Sequence, residues 1–218
     1  NLVAVRVKND LVPNSRWYSG SGIYRDVYLV RTNEIHFDHF GVRCATNGIY
    51  PKQDTALLQI RAQVVNDGST AENVGVLHKI YDRDGKLVST SGIALYLEPG
   101  ESSDCMVRPT VEAPHLWTDE DPYLYTLVST VVADGRELDS FTCKTGIRTA
   151  VFDADRGFLL NGGTVKIKGM CVHHDCGLTG AVGYRESWER RLKELKDMGC
   201  NGIRCSHNPP APVLLDLC

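Results

Sequence analysis

Asn201-Gly202-Ile203-Arg204-Cys205-Ser206-His207-Asn208-Pro209-Pro210 is a short apolar run that stops abruptly in hydrogen-bonding groups and two prolines. One helix upstream, Lys166 to Asp175 repeats the arrangement: a strand-like run ends in His173-His174-Asp175. Two consecutive strands that deliver histidines at their C-terminal ends point to the start of an active site in a β/α barrel. In such barrels the reactive groups stand at the C-terminal strand ends, around one shared mouth. The chain reaches only Cys218, too early to complete a barrel.

Between the two runs, Glu186 to Met198 has helical spacing. Trp188, Leu192, Leu195 and Met198 form an apolar stripe, and Glu189, Arg190, Arg191, Lys193, Glu194 and Lys196 fill the other face. Gly199 stands where a C-terminal cap is needed. Strand, helix and strand make a βαβ unit with parallel strands. Phe158-Leu159-Leu160, then Asn161-Gly162-Gly163, then Val165 to Val172 read as a hairpin leading into a buried strand.

Upstream of Arg148 the period is different. Short β-type runs recur at 35–46, 55–65, 74–82, 86–97, 103–109, 122–133 and 137–148. Asp84-Gly85 and Asp134-Gly135 suit two-residue hairpin loops, which need positive φ. Asn66-Asp67-Gly68 and Glu98-Pro99-Gly100 are further turns. Seven strands with no helical period predict an antiparallel sandwich of immunoglobulin type. Residues 1–8 and 23–31 alternate as strands on either side of a loop-like stretch, and two strands do not fold alone. They read as the tail of an upstream β domain. The predicted fold is therefore mainly β: residues 1–32 are that tail, 33–150 an immunoglobulin-like β-sandwich, and 151–218 the first βαβ unit of an incomplete (β/α)8 barrel.

Composition bounds the partners. The chain has 218 residues, 42% hydrophobic and 23% charged, with net charge −3 and no basic stripe. Nucleic acid is excluded as the main partner, because phosphate binding needs clustered Lys and Arg. No apolar run approaches a membrane span. No signal peptide is visible, but Asn1 is not a natural start, so the compartment, cytoplasmic or periplasmic/secreted, is left open. The eight cysteines lie in or beside apolar runs, as reduced thiols do.

His173, His174 and Asp175 after one strand, and Ser206, His207 and Asn208 after the next, are the candidate chemistry. Adjacent strands lie about 5 Å apart, so both sets reach one ligand. The competing reading makes them loop polar residues and a satisfied core histidine. Arg204 lies inside its strand, where an unpaired charge is costly. It either orients a carboxylate or closes a structural salt bridge. Cys171, His173, His174, Asp175 and Cys176 bring metal-ligand types together, yet without a compact CxxC knuckle, so no metal is assigned. Trp117 is read as packing at a sandwich end, Trp188 as helix core and Trp17 as a domain contact. No P-loop, dinucleotide fingerprint or serine elbow is present.

Four motifs, in order, resemble glycoside hydrolase family 2. Residues Ser15 to Val27 look like the close of its sugar-binding jelly roll. Pro122-Tyr123-Leu124-Tyr125 and Gly146-Ile147-Arg148 look like the last strands of its immunoglobulin-like domain. Gly157 to Gly162, Lys166 to Gly169 and His173-His174-Asp175 look like the start of its barrel, and Met198 to Pro209 is similar to its first signature.

The resemblance implies a retaining β-glycosidase acting on terminal β-D-galactosides. β-Glucuronidase, β-mannosidase and a non-catalytic scaffold or carbohydrate-binding module are the alternatives. It implies that His173, His207 and Asn208 support the sugar and the transition state, and that Arg204 orients the nucleophile. It also implies that both catalytic glutamates, and the family's magnesium ligands, lie beyond Cys218. This stretch alone is then inactive and holds no cofactor. The partner is a carbohydrate substrate of the parent protein, whose homo-oligomeric state stays open.

Overall fold

The computed structural model describes residues 2–9 and 21–218. Packing divides the chain into two compact units, Val30–Val165 on one side and Asn1–Leu29 with Lys166–Cys218 on the other.

The first unit is built on β1 (Ile35–Phe37), β2 (Arg43–Tyr50), β3 (Thr55–Asn66), β4 (Glu72–Tyr81), β5 (Leu87–Leu97), β6 (Ser102–Val107), β7 (Thr110–Glu112), β8 (Tyr125–Ala133) and β9 (Arg136–Thr145). β3 is the centre of one sheet. Its inward residues Ala56, Leu58, Ile60, Ala62 and Val64 alternate strictly with more exposed ones, as the pleat requires.

Each edge of β3 carries an interrupted strand. On one edge, β1 and β2 both run antiparallel to it, with Ile35 opposite Asn66 and Arg43 opposite Arg61. The single strand expected over 35–46 is therefore broken. A turn closed by Gly41 N–H to Asp38 O (2.8 Å) bulges out between the two pieces. Glycine is required there, because a Cβ on residue 41 would stand 2.8 Å from the Asp38 carbonyl. On the other edge, β6 and β7 keep one register, with Ile60 opposite Val107 and Leu57 opposite Thr110. The expected 103–109 strand breaks because Pro109 has no N–H for the ladder. Its carbonyl still accepts from Leu58 N–H (2.9 Å).

The second sheet has the order β5-β4-β8-β9, all antiparallel. The chain changes sheet between β3 and β4, between β5 and β6, and between β7 and β8. Val74, Val76, Ile80, Tyr125, Leu127 and Val131 meet the β3 residues in one core. Burying each such side chain contributes about 1.5–3 kcal/mol. This is the predicted immunoglobulin-like sandwich. Two strands are shorter than expected: β8 starts at Tyr125 and β9 ends at Thr145, after which Ile147, fully buried, plugs the core from a loop. Asp134-Gly135 makes the expected loop with both φ positive (49° and 73°). At Asp84-Gly85 the loop is longer, since Asp82 N–H bonds Lys86 O (3.0 Å) across three residues, with only Gly85 at positive φ.

β10 (Ala150–Asp153), β11 (Gly157–Leu160) and β12 (Gly163–Thr164) form a small antiparallel sheet in the same unit. Asn161 ties it to the sandwich end. Its side-chain amide donates to Trp117 O (3.0 Å), and its side-chain oxygen accepts from Thr149 N–H (3.0 Å). Trp117 lies under the Arg148 guanidinium at 4.2 Å, which fits its expected place at a sandwich end.

The second unit contains β13 (Gly169–Val172), a 3-10 turn at Gly177–Thr179, α1 (Arg185–Asp197), β14 (Gly202–Cys205) and α2 (Pro212–Leu217). β13 and β14 pair in parallel, Gly169 opposite Gly202 through Val172 opposite Cys205. The expected strand over 165–172 begins only at Gly169, and only Val172 of it is buried. α1 ends as Gly199 predicts, with φ +86°. Gly199 N–H bonds Lys196 O (2.8 Å) and Cys200 N–H bonds Leu195 O (3.0 Å), a Schellman cap. Trp188, Leu192 and Leu195 pack with Val172 and Leu214. Met198 does not join them. As the cap residue it stands past the packed stripe and is 71% exposed.

The strands expected at 1–8 and 23–31 do not form among the described residues. A strand exists only where a neighbour takes its N–H and C=O groups, and these segments have no ladder partner there. Leu2, Val3, Val27 and Leu29 face solvent. Trp17, Ser15 to Gly20 and the rest of residues 10–20 lie outside the described residues.

The sandwich core holds one polar pair. His78 on β4 and Ser129 on β8 are opposite each other, both buried, with Nδ1 and Oγ 2.8 Å apart. Burial pushes the imidazole down to about 4. Between its ordinary value and that figure, the unfolded chain takes a proton that the folded chain refuses. Stability is therefore full above about pH 6.5 and is lost as pH falls toward 4, by about 3 kcal/mol. Replacing both partners (His78→Leu with Ser129→Ala) leaves no orphaned group. Urea unfolding at pH 7 and pH 4 should show a smaller loss on acidification for this double variant than for the unaltered chain; equal losses would contradict the assignment.

Candidate active site

Parallel pairing with Val172 opposite Cys205 ends β13 and β14 together, so the residues that follow emerge side by side. His173 follows β13 directly, and Ser206 and His207 follow β14. The His173 and His207 rings are 6.0 Å apart, edge to face at 77°. Val172 O accepts from Ser206 N–H (2.9 Å), which carries the pairing one residue past the strand. His207 then turns the chain with φ 63°, a left-handed conformation that costs a non-glycine residue about 1–3 kcal/mol.

Arg204 projects beside Cys171, its partner across the pair. Nη1 donates to Cys171 Sγ at 3.8 Å. The guanidinium, and after it the Ser206 hydroxyl, hold this exposed thiol below its ordinary value. Burial pushes the thiols of Cys44, Cys105, Cys143, Cys176 and Cys218 up instead. All eight cysteines are free thiols.

Asn208 and His173 line a small pocket with His174, Trp188, Pro210 and Leu214. Trp188 Nε1 and His174 Nδ1 are buried there without a hydrogen-bond partner among the described residues. Among the four candidates, then, His173 meets His207 through its ring and Asn208 through the pocket, while Arg204 lies one strand step below, on the thiol. No three His, Cys, Asp or Glu side chains gather around a point that could hold a metal ion among the described residues.

Three supports were not marked in advance. Asn201, just before β14, imitates a backbone rung. Its Oδ1 accepts from Lys168 N–H (2.7 Å), its Nδ2 donates to Lys166 O (3.2 Å), and its own N–H bonds Lys168 O (2.9 Å). Arg191 on α1 donates to Asp175 O (3.0 Å) and His173 O (3.5 Å), with its guanidinium 4.9 Å from the Trp188 ring centroid. In sequence it is one charge among six on the solvent face. Arg25 reaches the other loop, donating to Pro209 O at 2.6 Å and Pro210 O at 3.3 Å. Its only sequence signal is membership of the Ser15 to Val27 motif.

The model for glycosyl hydrolases family 2 matches residues 42–148, and that for the TIM barrel domain of the same family matches residues 152–218. The chain belongs to glycoside hydrolase family 2. It is 47% identical over its whole length to the β-galactosidase BoGH2A of Bacteroides ovatus, of which it covers 25%. It is 29% identical to a β-glucuronidase of Bacteroides fragilis, matching along the whole of this chain and covering 32% of that protein. A family 2 glycosyl hydrolase from Bacteroides cellulosilyticus superposes with TM-score 0.91 at 36% identity, over 97% of this chain and 29% of that one. A Bacteroides uniformis β-glucuronidase superposes with TM-score 0.81 at 34% identity, over 90% and 24%. The chain thus spans about a quarter of the length of these proteins.

Asn201→Ala should remove two hydrogen bonds and leave the Lys168 N–H and Lys166 carbonyl without their side-chain partner. The expected cost is about 1–3 kcal/mol. Hydrogen exchange should show it as faster exchange confined to residues 166–172 and 202–206, with the sandwich unaffected.

Proposed function

We propose that this chain is the sandwich and first barrel unit of a retaining β-glycosidase that removes terminal β-D-galactosyl groups. One observation carries the reading: the imidazoles of His173 and His207 converge, 6.0 Å apart, at the C-terminal ends of two parallel strands, in a family 2 chain. Identity of 47% with a β-galactosidase supports the galactoside. Residues 1–32 would close an upstream jelly roll, 33–150 form the sandwich domain, and 151–218 open the barrel.

The chemistry needs two carboxyl groups about 5–5.5 Å apart, one acid/base and one nucleophile. Neither β13 nor β14 delivers a glutamate at its end; Glu186, Glu189 and Glu194 belong to α1. The glutamates, and any magnesium ligands, would come from sequence after Cys218. In this reading the ring N–H groups of His173 and His207 and the Asn208 amide donate to sugar hydroxyls. Those bonds strengthen as positive charge develops on the ring, so they lower the barrier rather than merely the dissociation constant. Arg204 supplies a fixed charge to hold an incoming carboxylate by paired N–H donors.

β-Glucuronides are the second reading, favoured by the likeness to β-glucuronidases of B. fragilis and B. uniformis. The whole protein should cleave p-nitrophenyl β-D-galactoside faster than the glucuronide or mannoside. The 218 residues alone should cleave none. His207→Ala in the whole protein should lower kcat/KM by about 2–4 kcal/mol, roughly 30- to 1,000-fold. Preference for the glucuronide would replace the substrate assignment, and turnover by the 218 residues alone would refute the division of labour.

A further inference from the structure

We infer that the dipeptide Tyr24-Arg25 is a positioning element for the candidate site, a strap laid across both histidine loops. It precedes the sandwich in sequence and yet packs in the same compact unit as the barrel strands.

The loop after β14 creates the need for it. Pro209 and Pro210 follow His207-Asn208 directly, and neither has an N–H. The Pro209-Pro210 backbone offers hydrogen-bonding neighbours only carbonyl oxygens, so a group that bonds it must be a donor. The same loop contains His207 at φ 63°, a strained conformation that persists only where the neighbours on both sides are fixed. Upstream the fixing is done by Ser206 N–H on Val172 O (2.9 Å). Downstream it is done by Arg25, whose Nη2 and Nη1 take the Pro209 and Pro210 carbonyls at 2.6 and 3.3 Å. A guanidinium is suited to this, being a rigid fork of donors with no acceptor.

The neighbouring residue touches the other loop. The Tyr24 ring lies 6.2 Å from that of His174, the residue after His173. The Arg25 guanidinium carbon is 5.2 Å from the Tyr24 ring centroid, so the two side chains support each other. Arg191 secures the same first loop from α1, through Asp175 O and His173 O. The loop after β13 therefore has a local clamp in addition to the strap. For the loop after β14, Arg25 holds the Pro209 and Pro210 carbonyls from outside the strand and helix that flank it. That loop carries His207 and Asn208.

The inference of a catalytic consequence rests on the glycosidase reading; the strap itself does not. Two measurements keep them apart. The first is hydrogen exchange by mass spectrometry on the 218-residue chain, comparing Arg25→Gln and Arg25→Lys with the unaltered protein. Arg25→Gln should speed exchange over Ser206 to Leu217 by at least about tenfold. Arg25→Lys, which keeps a cation and a donor but not the fork, should fall between. The sandwich peptides around His78 and Val131 serve as the internal control for folding. Unchanged exchange over Ser206 to Leu217 in both variants would overturn the strap.

The second measurement is on the whole protein. Arg25→Gln should lower kcat for its preferred glycoside by about 10- to 100-fold, with partial rescue in Arg25→Lys and no change in thermal midpoint beyond a few degrees. A change confined to the thermal midpoint, with kcat intact, would make Arg25 a structural residue and overturn the positioning role. Were the unaltered whole protein inactive on every β-glycoside, the glycosidase reading would fall, and the exchange experiment would still decide the strap.

Discussion

Two strands that run in the same direction end at the same edge of their sheet, and the rest of this site depends on that constraint. The chain must return from the end of β13 to the start of β14, and α1 is the return path, packed on the strands through Trp188, Leu192 and Leu195. The Gly199 cap stops the helix and Asn201 sets the level at which β14 begins. With Gly169 opposite Gly202, His173 stands level with Ser206, and His207 comes one residue later at φ 63°, so the turn there as well as the register sets the spacing of the two rings. Even the bare glycines at the bottom of the pair are part of this, since a Cβ on residue 169 would meet the Gly202 carbonyl at 2.8 Å.

The sandwich obeys a different rule. Its core comes from period-2 burial on β3, β4 and β8, and its buried polar side chains Asn66, His78 and Ser129 each have partners. Asn66, buried at the end of β3, donates to the carbonyls of Thr70, Leu97 and Glu98 and accepts from Gly68 N–H, so one side chain binds two turns together. His78 and Ser129 answer each other across the second sheet. Such groups limit the alternatives open to the core, because a shifted register would leave them buried without partners.

Much of this was legible in the sequence, for identifiable reasons. Alternation and helical spacing report burial directly, so the sandwich strands, α1 and its cap could be read from them. Turn dipeptides report φ, and Asp134-Gly135 behaved accordingly. What was not legible depends on a partner distant in sequence. The turn at Asp38 to Gly41 brings residue 41 against the Asp38 carbonyl, a closeness visible only in the fold, and the break at Pro109 falls at a ladder position the sequence does not reveal. His78 sits at an inward position where alternation alone expects an apolar residue. The alternation at 1–8 and 23–31 is real, but period is a statement about faces, not about neighbours. Within the site, the histidines announced themselves by position at strand ends. Arg25, Arg191 and Asn201 did not, because they act on backbone carbonyls and amides, which carry no sequence signature.

The interrupted edges of β3 also fix an order of assembly. Its pairing is finished only when Thr55 meets Glu112, and the second sheet only when Tyr125 meets Thr145. Both contacts lie wholly upstream of Gly169. Domains fold as units during synthesis, N-terminal first, so the sandwich can close while β13 is still unmade. The parallel pair then has a finished fold already attached to it when its own long crossover must be closed. That pair, Gly169 to Val172 with Gly202 to Cys205, is the last to be synthesised, so it forms after the sandwich strands already have their ladder partners.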